Sequence, residues 1–306
     1  MDDKRMFLEP SVSQYGSRMV MTNVHKPTKK KYWNIDTQFC SDYSAINPTE
    51  YVISLPEPIN DVKSIKVKDV QIPISFYNIS SSFGNHIFQV VENANKHNII
   101  LPDNQYDSLS LATEVNNQFN FLGINMSIDL SNNQHKTIFT NHSTTKSYTC
   151  LFAVTNNESC SGSNVDFDKN LVKSKLGWIL GFRNIEYDIV PTAQLTSESV
   201  YYPYLKNIFL VVDEFSKGNQ NTFISPMYDS LLNKNILAKI SLDYESYPFG
   251  SVLNGNDGGG YLLSDCREYS GKVNLQRLKI QLVNIYGLPV NMNGVDFSFS
   301  LEIEYE

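Results

Sequence analysis

Cysteine is scarce in this chain and never paired: four in 306 residues, at Cys40, Cys150, Cys160 and Cys266. No CxxC spacing occurs, which excludes a zinc ribbon, and four scattered thiols fit a reducing compartment better than a disulfide framework. Long apolar runs are missing as well. No stretch of about 18 apolar residues is present, so no helix is expected to span a bilayer. Met1 to Met6 is charged and no apolar h-region follows, so no secretory signal is expected. Sequons such as Asn141-His142-Ser143 and Asn157-Glu158-Ser159 are accordingly not read as glycan sites.

Catalytic and metal-binding signatures are equally thin. His25, His86, His97, His135 and His142 contain no i, i+4 pair, and a meeting of His135 with His142 across a hairpin lacks a third ligand, so no metal site is expected. There is no GxSxG elbow and no cysteine with a neighbouring histidine to activate it. Cys266 precedes Arg267, but one cation is a weak activator. Gly258-Gly259-Gly260 lacks the Lys-Ser/Thr and the strand-to-helix setting of a phosphate loop and reads as a surface loop, Asn254 to Gly260. Asp213-Glu214 follows an apolar run. Adjacent strand residues face opposite ways, so these two carboxylates do not converge on one substrate atom, and an acidic turn closing a strand is expected instead. No internal repeat is visible, which excludes a propeller or solenoid. No enzyme and no cofactor is expected.

Charge is modest and unevenly placed. The net charge is −7. Residues 1–31 hold seven Lys/Arg against three acids, a balance of +4, which leaves −11 for the rest. The body therefore has no basic face for phosphates, and no specific nucleic acid is expected as a partner. The arm, residues 1–31, shows no consistent period and is expected to be extended, with Lys29, Lys30 and Lys31 as candidate contact residues.

What the chain does have is alternation. From Val295 to Glu306 the odd positions are Val295, Phe297, Phe299, Leu301, Ile303 and Tyr305, and the even ones are Asp, Ser or Glu. Side chains of a strand point to opposite faces with period two, so this is one long strand with an apolar and an acidic face. Leu278, Ile280 and Leu282 repeat the pattern, and Gly287, Pro289 and Asn293-Gly294 break between the two, so the chain is expected to finish in two antiparallel strands sharing a core face. Tyr51, Ile53 and Leu55 alternate before Pro56-Glu57-Pro58, which is expected to stop the strand. Ile65 and Val67 are followed by Val70, Ile72 and Ile74, a phase slip at Lys68-Asp69 that predicts a β-bulge or bend. Further strands are expected at His86–Val91, Met126–Leu130, Thr137–Phe139, Tyr148–Val154, Ile208–Val212 and Ile236–Leu242. Leu111, Val115, Phe119 and Leu122 recur at helical spacing between a cap at Asp107 or Ser108 and Gly123. Two glycines beside Trp178 in Leu176–Phe182 predict a tight, closely packed turn.

Roughly ten strands and one helix predict an all-β fold: a two-sheet antiparallel sandwich, a single jelly roll, with one short inserted helix and an extended N-terminal arm. Residues 32–306 form the jelly-roll domain, with structure beginning near Tyr32-Trp33. Tyr201-Tyr202-Pro203-Tyr204 is the best local candidate for a contact surface, since exposed tyrosines favour interfaces and stack on sugars, although half of such a cluster belongs in a core.

Several stretches carry a family resemblance. Tyr32–Phe39 (within it WNIDTQF), Tyr51–Ile59 (YVISLPEPI), Val62–Pro73 (VKSIKVKDVQIP), Leu176–Phe182 (LGWILGF), Leu205–Phe215 (LKNIFLVVDEF), Asn235–Ile240 (NILAKI) and the closing LQRLKIQLVNIYGLPVNMNGVDFSFSLEIEYE are similar to capsid proteins of large double-stranded DNA viruses of the giant-virus kind. The resemblance is to their single-jelly-roll penton and minor capsid proteins. It implies a virion location, assembly in the host cytoplasm and self-association, as a homopentamer, into the five-fold vertex. Neighbouring major and minor capsid proteins are expected partners, and the arm, by its positive charge, is expected to tie the vertex to them or to an internal membrane. Residues 1–31 and the loop 254–260 match nothing in that group. Alternatives are another minor capsid role, a carbohydrate-binding or host-attachment jelly roll using Tyr201, Tyr202 and Tyr204, and a polysaccharide hydrolase, which needs two convergent carboxylates.

Overall fold

A computed structural model of the chain describes residues 27–40, 50–154, 172–215 and 235–306; residues 1–26 of the arm, and Cys160, lie outside them. In chain order the elements are β1 (Lys29–Asp36), β2 (Glu50–Pro73), β3 (Ile87–Glu92), β4 (Asn95–Ile100), α1 (Ser108–Phe121), β5 (Met126–Asp129), β6 (Lys136–Asn141), β7 (Tyr148–Leu151), α2 (Leu176–Ile179), β8 (Glu186–Ile189), β9 (Gln194–Val200), β10 (Asn207–Asp213), β11 (Ile236–Ser241), β12 (Val252–Asn256), β13 (Leu262–Ser264), β14 (Arg267–Val283) and β15 (Ser298–Tyr305).

The fold is all-β and every strand ladder is antiparallel. Eight strands form a main sheet ordered β1-β15-β2-β14-β10-β11-β13, with β12 also on β2, curled into a jelly-roll sandwich around its own core. The closing alternation drives this. Phe297, Phe299, Leu301 and Ile303 are buried and share the core with Leu278, Ile280 and Leu282, as the period-two pattern requires. The two closing strands are not antiparallel to each other, however. Each pairs antiparallel with β2, on opposite sides of it, so β14 and β15 run the same way. Periodicity fixes which face is buried but not which strand is the neighbour.

Strand β2 holds the predicted bulge and one departure from expectation. At the predicted slip Ser300 pairs with Asp69 and Leu301 with Val67, so Lys68 is the extra residue of a bulge. That single insertion returns Val70 and Ile72 to the core side after Ile65 and Val67. Pro56-Glu57-Pro58, by contrast, does not end the strand. Leu275 pairs with Ile59 and Arg277 with Ser54, so residues 55–58 swing out of the ladder and pairing resumes beyond them. Proline lacks the N–H that a ladder needs, and here it sits where no ladder bond is made. The predicted loop 254–260 is also shorter, because Asn254–Asn256 belong to β12 and pair with Gln71–Asp69.

Between β2 and β10 the chain builds a second core from two smaller sheets, β4-β3-β7-β8 and β5-β6-β9, with α1 packed beside them. The helix follows its sequence. The Asp107 carboxylate accepts the Ser110 N–H at 2.7 Å, Leu111, Val115 and Phe119 are buried, and Gly123 takes the left-handed φ of +69° just past the end. Asn116 docks it to β5, donating to the Ile128 carbonyl at 3.0 Å and accepting the Ile128 N–H at 2.8 Å. Phe88, Phe119, Phe139, Phe152 and Phe182 fill the centre with ring centroids 5.0–6.3 Å apart.

Cys150 lies in this second core, and burial pushes its thiol pKa up to about 12. Only the thiolate reacts. Treating the folded chain with iodoacetamide at pH 8 is therefore expected to label the half-exposed Cys40 and Cys266 and to leave Cys150 unmodified until denaturant is added. Peptide mapping that found Cys150 alkylated under native conditions would contradict this packing.

Candidate binding cleft and surface charge

The tyrosine cluster leaves β9 on two fixed points, the Tyr201 N–H on the His135 carbonyl (2.8 Å) and the Tyr202 N–H on the Ile179 carbonyl (3.0 Å). Its side chains then divide. Tyr201 packs on the second core, where burial raises its hydroxyl pKa, while Tyr202 and Tyr204 stay at the surface, 48% and 36% exposed. Tyr204 meets Tyr202 edge-on at 5.9 Å and tilts against Tyr244 at 4.8 Å, and the Lys206 ammonium sits 5.4 Å above the Tyr202 ring.

These residues form one wall of a cleft of about 490 Å³ where the second core meets the ends of the main-sheet strands. The helix α2 and the turn after it also line the cleft. The Arg183 guanidinium lies 4.1 Å over the Trp178 ring, and its Nη1 donates to the Trp178 and Phe182 carbonyls at 3.1 Å each. The β14–β15 connection closes the third side. Asn284 Oδ1 accepts the N–H of Tyr286 (2.9 Å) and Leu288 (3.0 Å), and the Tyr286 hydroxyl donates to the Lys173 carbonyl at 2.6 Å. Among the described residues Lys173, Arg183 and Lys206 line the cleft and no Asp or Glu does. On a chain of net charge −7 that is a local reversal of sign. The sequence exposed only the tyrosines. Trp178, Arg183, Lys206 and Tyr286 come from separate segments, and the compact run at 176–182 was the one further signal that this region is closely built.

The three candidate lysines lie in β1, ahead of the expected start near Tyr32. Lys30 pairs with Glu302 (3.0 Å) and Glu304 (3.1 Å) on the acidic face of β15, which raises its pKa. The Tyr32 hydroxyl, 2.6 Å from Glu302, and Lys30 together hold the Glu302 carboxyl below its usual range. Lys31 lies 5.7 Å over the Trp33 ring, and Lys29 is exposed at the strand start. Acidic and basic ends of the sequence thus meet within one molecule.

The two weighed carboxylates point apart. Asp213 Oδ1 accepts the Phe215 N–H at 2.8 Å and so closes a turn, as expected. Glu214 turns inward onto Arg267 at 2.8 Å, both nearly inaccessible. Arg267 is thereby committed to Glu214 and not to its neighbour Cys266. This pair, 53 residues apart, left no mark in the sequence. His142 Nε2 lies 2.8 Å from the Ser127 hydroxyl, and among the described residues no three His, Cys, Asp or Glu side chains gather to hold a metal.

No family model matches the chain, and no curated protein matches it. Among solved structures it is similar to the selenomethionine-labelled mavirus penton protein, at 11% identity and a TM-score of 0.41, over 92% of this chain and 100% of that one. It is also similar to a chain of the 3.5 Å Sputnik virophage structure, at 14% identity and a TM-score of 0.40, over 92% and 98%. Both likenesses are loose, and the fold stands on the strand ladders described above.

Proposed function

We propose that this chain is a structural subunit of the shell of a large double-stranded DNA virus, and specifically the penton, five copies of which close a ring at the vertex. One observation carries the reading. The segments resembling the capsid group are scattered from residue 32 to residue 306, yet all but Leu176–Phe182, which forms α2 in the second core, fold into β1, β2, β10, β11, β14 and β15, consecutive neighbours in one sheet. The resemblance thus falls mainly on a single physical object, the curled sheet. Cyclic assembly is heterologous, so one flank of each copy meets the opposite flank of the next.

The arm's role narrows. With Lys29–Lys31 in the sheet, residues 1–26 hold four Lys/Arg against three acids, a balance of +1. That is little charge for an anionic lipid surface, where each cation contributes about 1 kcal/mol. A tie to neighbouring capsid proteins is the better reading.

The test is the native mass of the purified chain and of a version lacking residues 1–26. Both are expected at five times the chain mass, 34.8 kDa for the full chain, and only the full chain is expected to join co-expressed shell proteins. A stable monomer at micromolar concentration would remove the penton reading, and equal incorporation of both would remove the arm's role.

A further inference from the structure

We propose that the cleft between the second core and the main sheet is a binding site for an acidic saccharide, one bearing sulfate or carboxylate groups; this does not rest on the shell reading. Four features of the site point there. Its volume, about 490 Å³, is in the range of small-ligand sites, roughly 300–1,000 Å³. Its charge is one-signed among the described lining residues: Arg183 and Lys206 both face it, and neither side chain forms an ion pair among the described residues, the Glu198 carboxylate taking only the Arg183 backbone N–H at 3.2 Å. Among the described residues the Arg183 side chain donates through Nη1 alone, to two carbonyls, with its face on Trp178, and the Lys206 ammonium lies over the Tyr202 ring. Finally, each of these two cations is laid against an aromatic ring, Arg183 on Trp178 and Lys206 on Tyr202.

That last feature selects the ligand class. A compact phosphate is held by convergent N–H groups of a glycine-rich turn or a helix N-terminus. Here α2 has four residues, too few for an N-terminal anion site, and each cation lies against an aromatic ring and not in a nest of backbone N–H groups. An acidic group carried on a ring whose apolar faces can lie against Tyr204 and Tyr286 fits this pairing of cation and aromatic, as does Asn284, whose Oδ1 is occupied and whose amide N–H groups have no partner among the described residues. A neutral sugar would leave both cations unmatched, and no described lining residue carries a carboxylate that would repel an acidic one.

The experiment is calorimetric titration of the full chain, as purified, with a heparin-derived sulfated tetrasaccharide, 3′-sialyllactose, lactose, ATP and inorganic sulfate. At least one acidic saccharide is expected to bind at least about tenfold more tightly than lactose, ATP and sulfate, with the contrast shrinking as salt is raised. Quenching of Trp178 emission in a Trp33→Phe background reports occupancy of this cleft in particular. Lys206→Gln, an exposed change that leaves the fold intact by thermal melting, is expected to weaken that binding by about tenfold. Arg183→Ala is expected to weaken it further, with Lys206→Gln deciding the matter where Arg183→Ala also lowers stability. No saccharide binding, equal affinity for ATP or sulfate, or binding that Lys206→Gln leaves unchanged would each overturn the proposal.

Discussion

Replacing Arg267 by alanine is expected to cost about 3–5 kcal/mol of folding stability, because it leaves Glu214 charged and buried with no partner. The geometry explains why the penalty reaches that range. Arg267 is 1% exposed and both of its Nη groups are engaged: Nη1 donates to the Val212 carbonyl and to Glu214 Oε2, both at 2.8 Å, and Nη2 to the carbonyls of Asn235 (3.0 Å) and Ile236 (3.3 Å). One side chain at the head of β14 therefore satisfies the end of β10 and the start of β11 together. Tyr269 stands beside the pair, its hydroxyl pKa raised by burial and by the Glu214 carboxylate. The loss should appear as a fall in melting temperature on the order of 10 °C for a chain of this size. Arg267→Lys should fall between, since an ammonium keeps the charge but cannot span four acceptors in two directions. The double change Arg267→Met with Glu214→Leu should recover much of the loss, because no charge remains buried. It should not recover all of it, because the carbonyls of Val212, Asn235 and Ile236 lose the donor that Arg267 supplied. A double variant no better than Arg267→Ala would mean that the carbonyls, not the ion pair, dominate.

What could be read from the sequence, and what could not, follows the range of the interaction responsible. Burial of Phe297, Phe299 and Leu301, the α1 cap at Asp107 and the bulge at Lys68 are set by residues within a few positions of one another, and each is legible. Strand partnership is not local. Nothing in the two closing alternations says that β2 lies between them, so the expected antiparallel pair was the wrong neighbour relation on the right faces. Short edge strands were also silent. In β9, Gln194–Val200, only Ser197 is buried, and a buried serine among exposed polar residues carries no hydrophobic period. The same holds for function. The tyrosines at 201–204 announced a surface, but the cations that give the cleft its sign arrive from β10's approach and from the turn after α2. The Glu214–Arg267 pair joins residues that only the sheet brings together.

The largest effect from the smallest change is expected at Gly181. Its φ of +95° lies outside what a side-chain-bearing residue adopts comfortably, and a Cβ there would stand 2.1 Å from the Ser199 carbonyl oxygen. That oxygen is backbone and cannot swing away, and the two strands of chain are locked by the Ser199 N–H on the Gly181 carbonyl at 3.0 Å. Gly181→Ala must therefore both strain the turn and push β9 off α2, at roughly 2–6 kcal/mol from backbone strain and overpacking together. Gly123 is the control. It too has positive φ, +69°, but a Cβ there meets nothing within 4 Å, so Gly123→Ala should cost only the backbone preference, about 1–2 kcal/mol. Chemical denaturation of the two variants separates clash from strain, and equal losses would show that the Gly181–Ser199 contact relaxes freely. Because Trp178 and Ser199 line the cleft on either side of that contact, a folded Gly181→Ala chain should also show shifted Trp178 emission, while Gly123→Ala, beyond the far end of α1, should not.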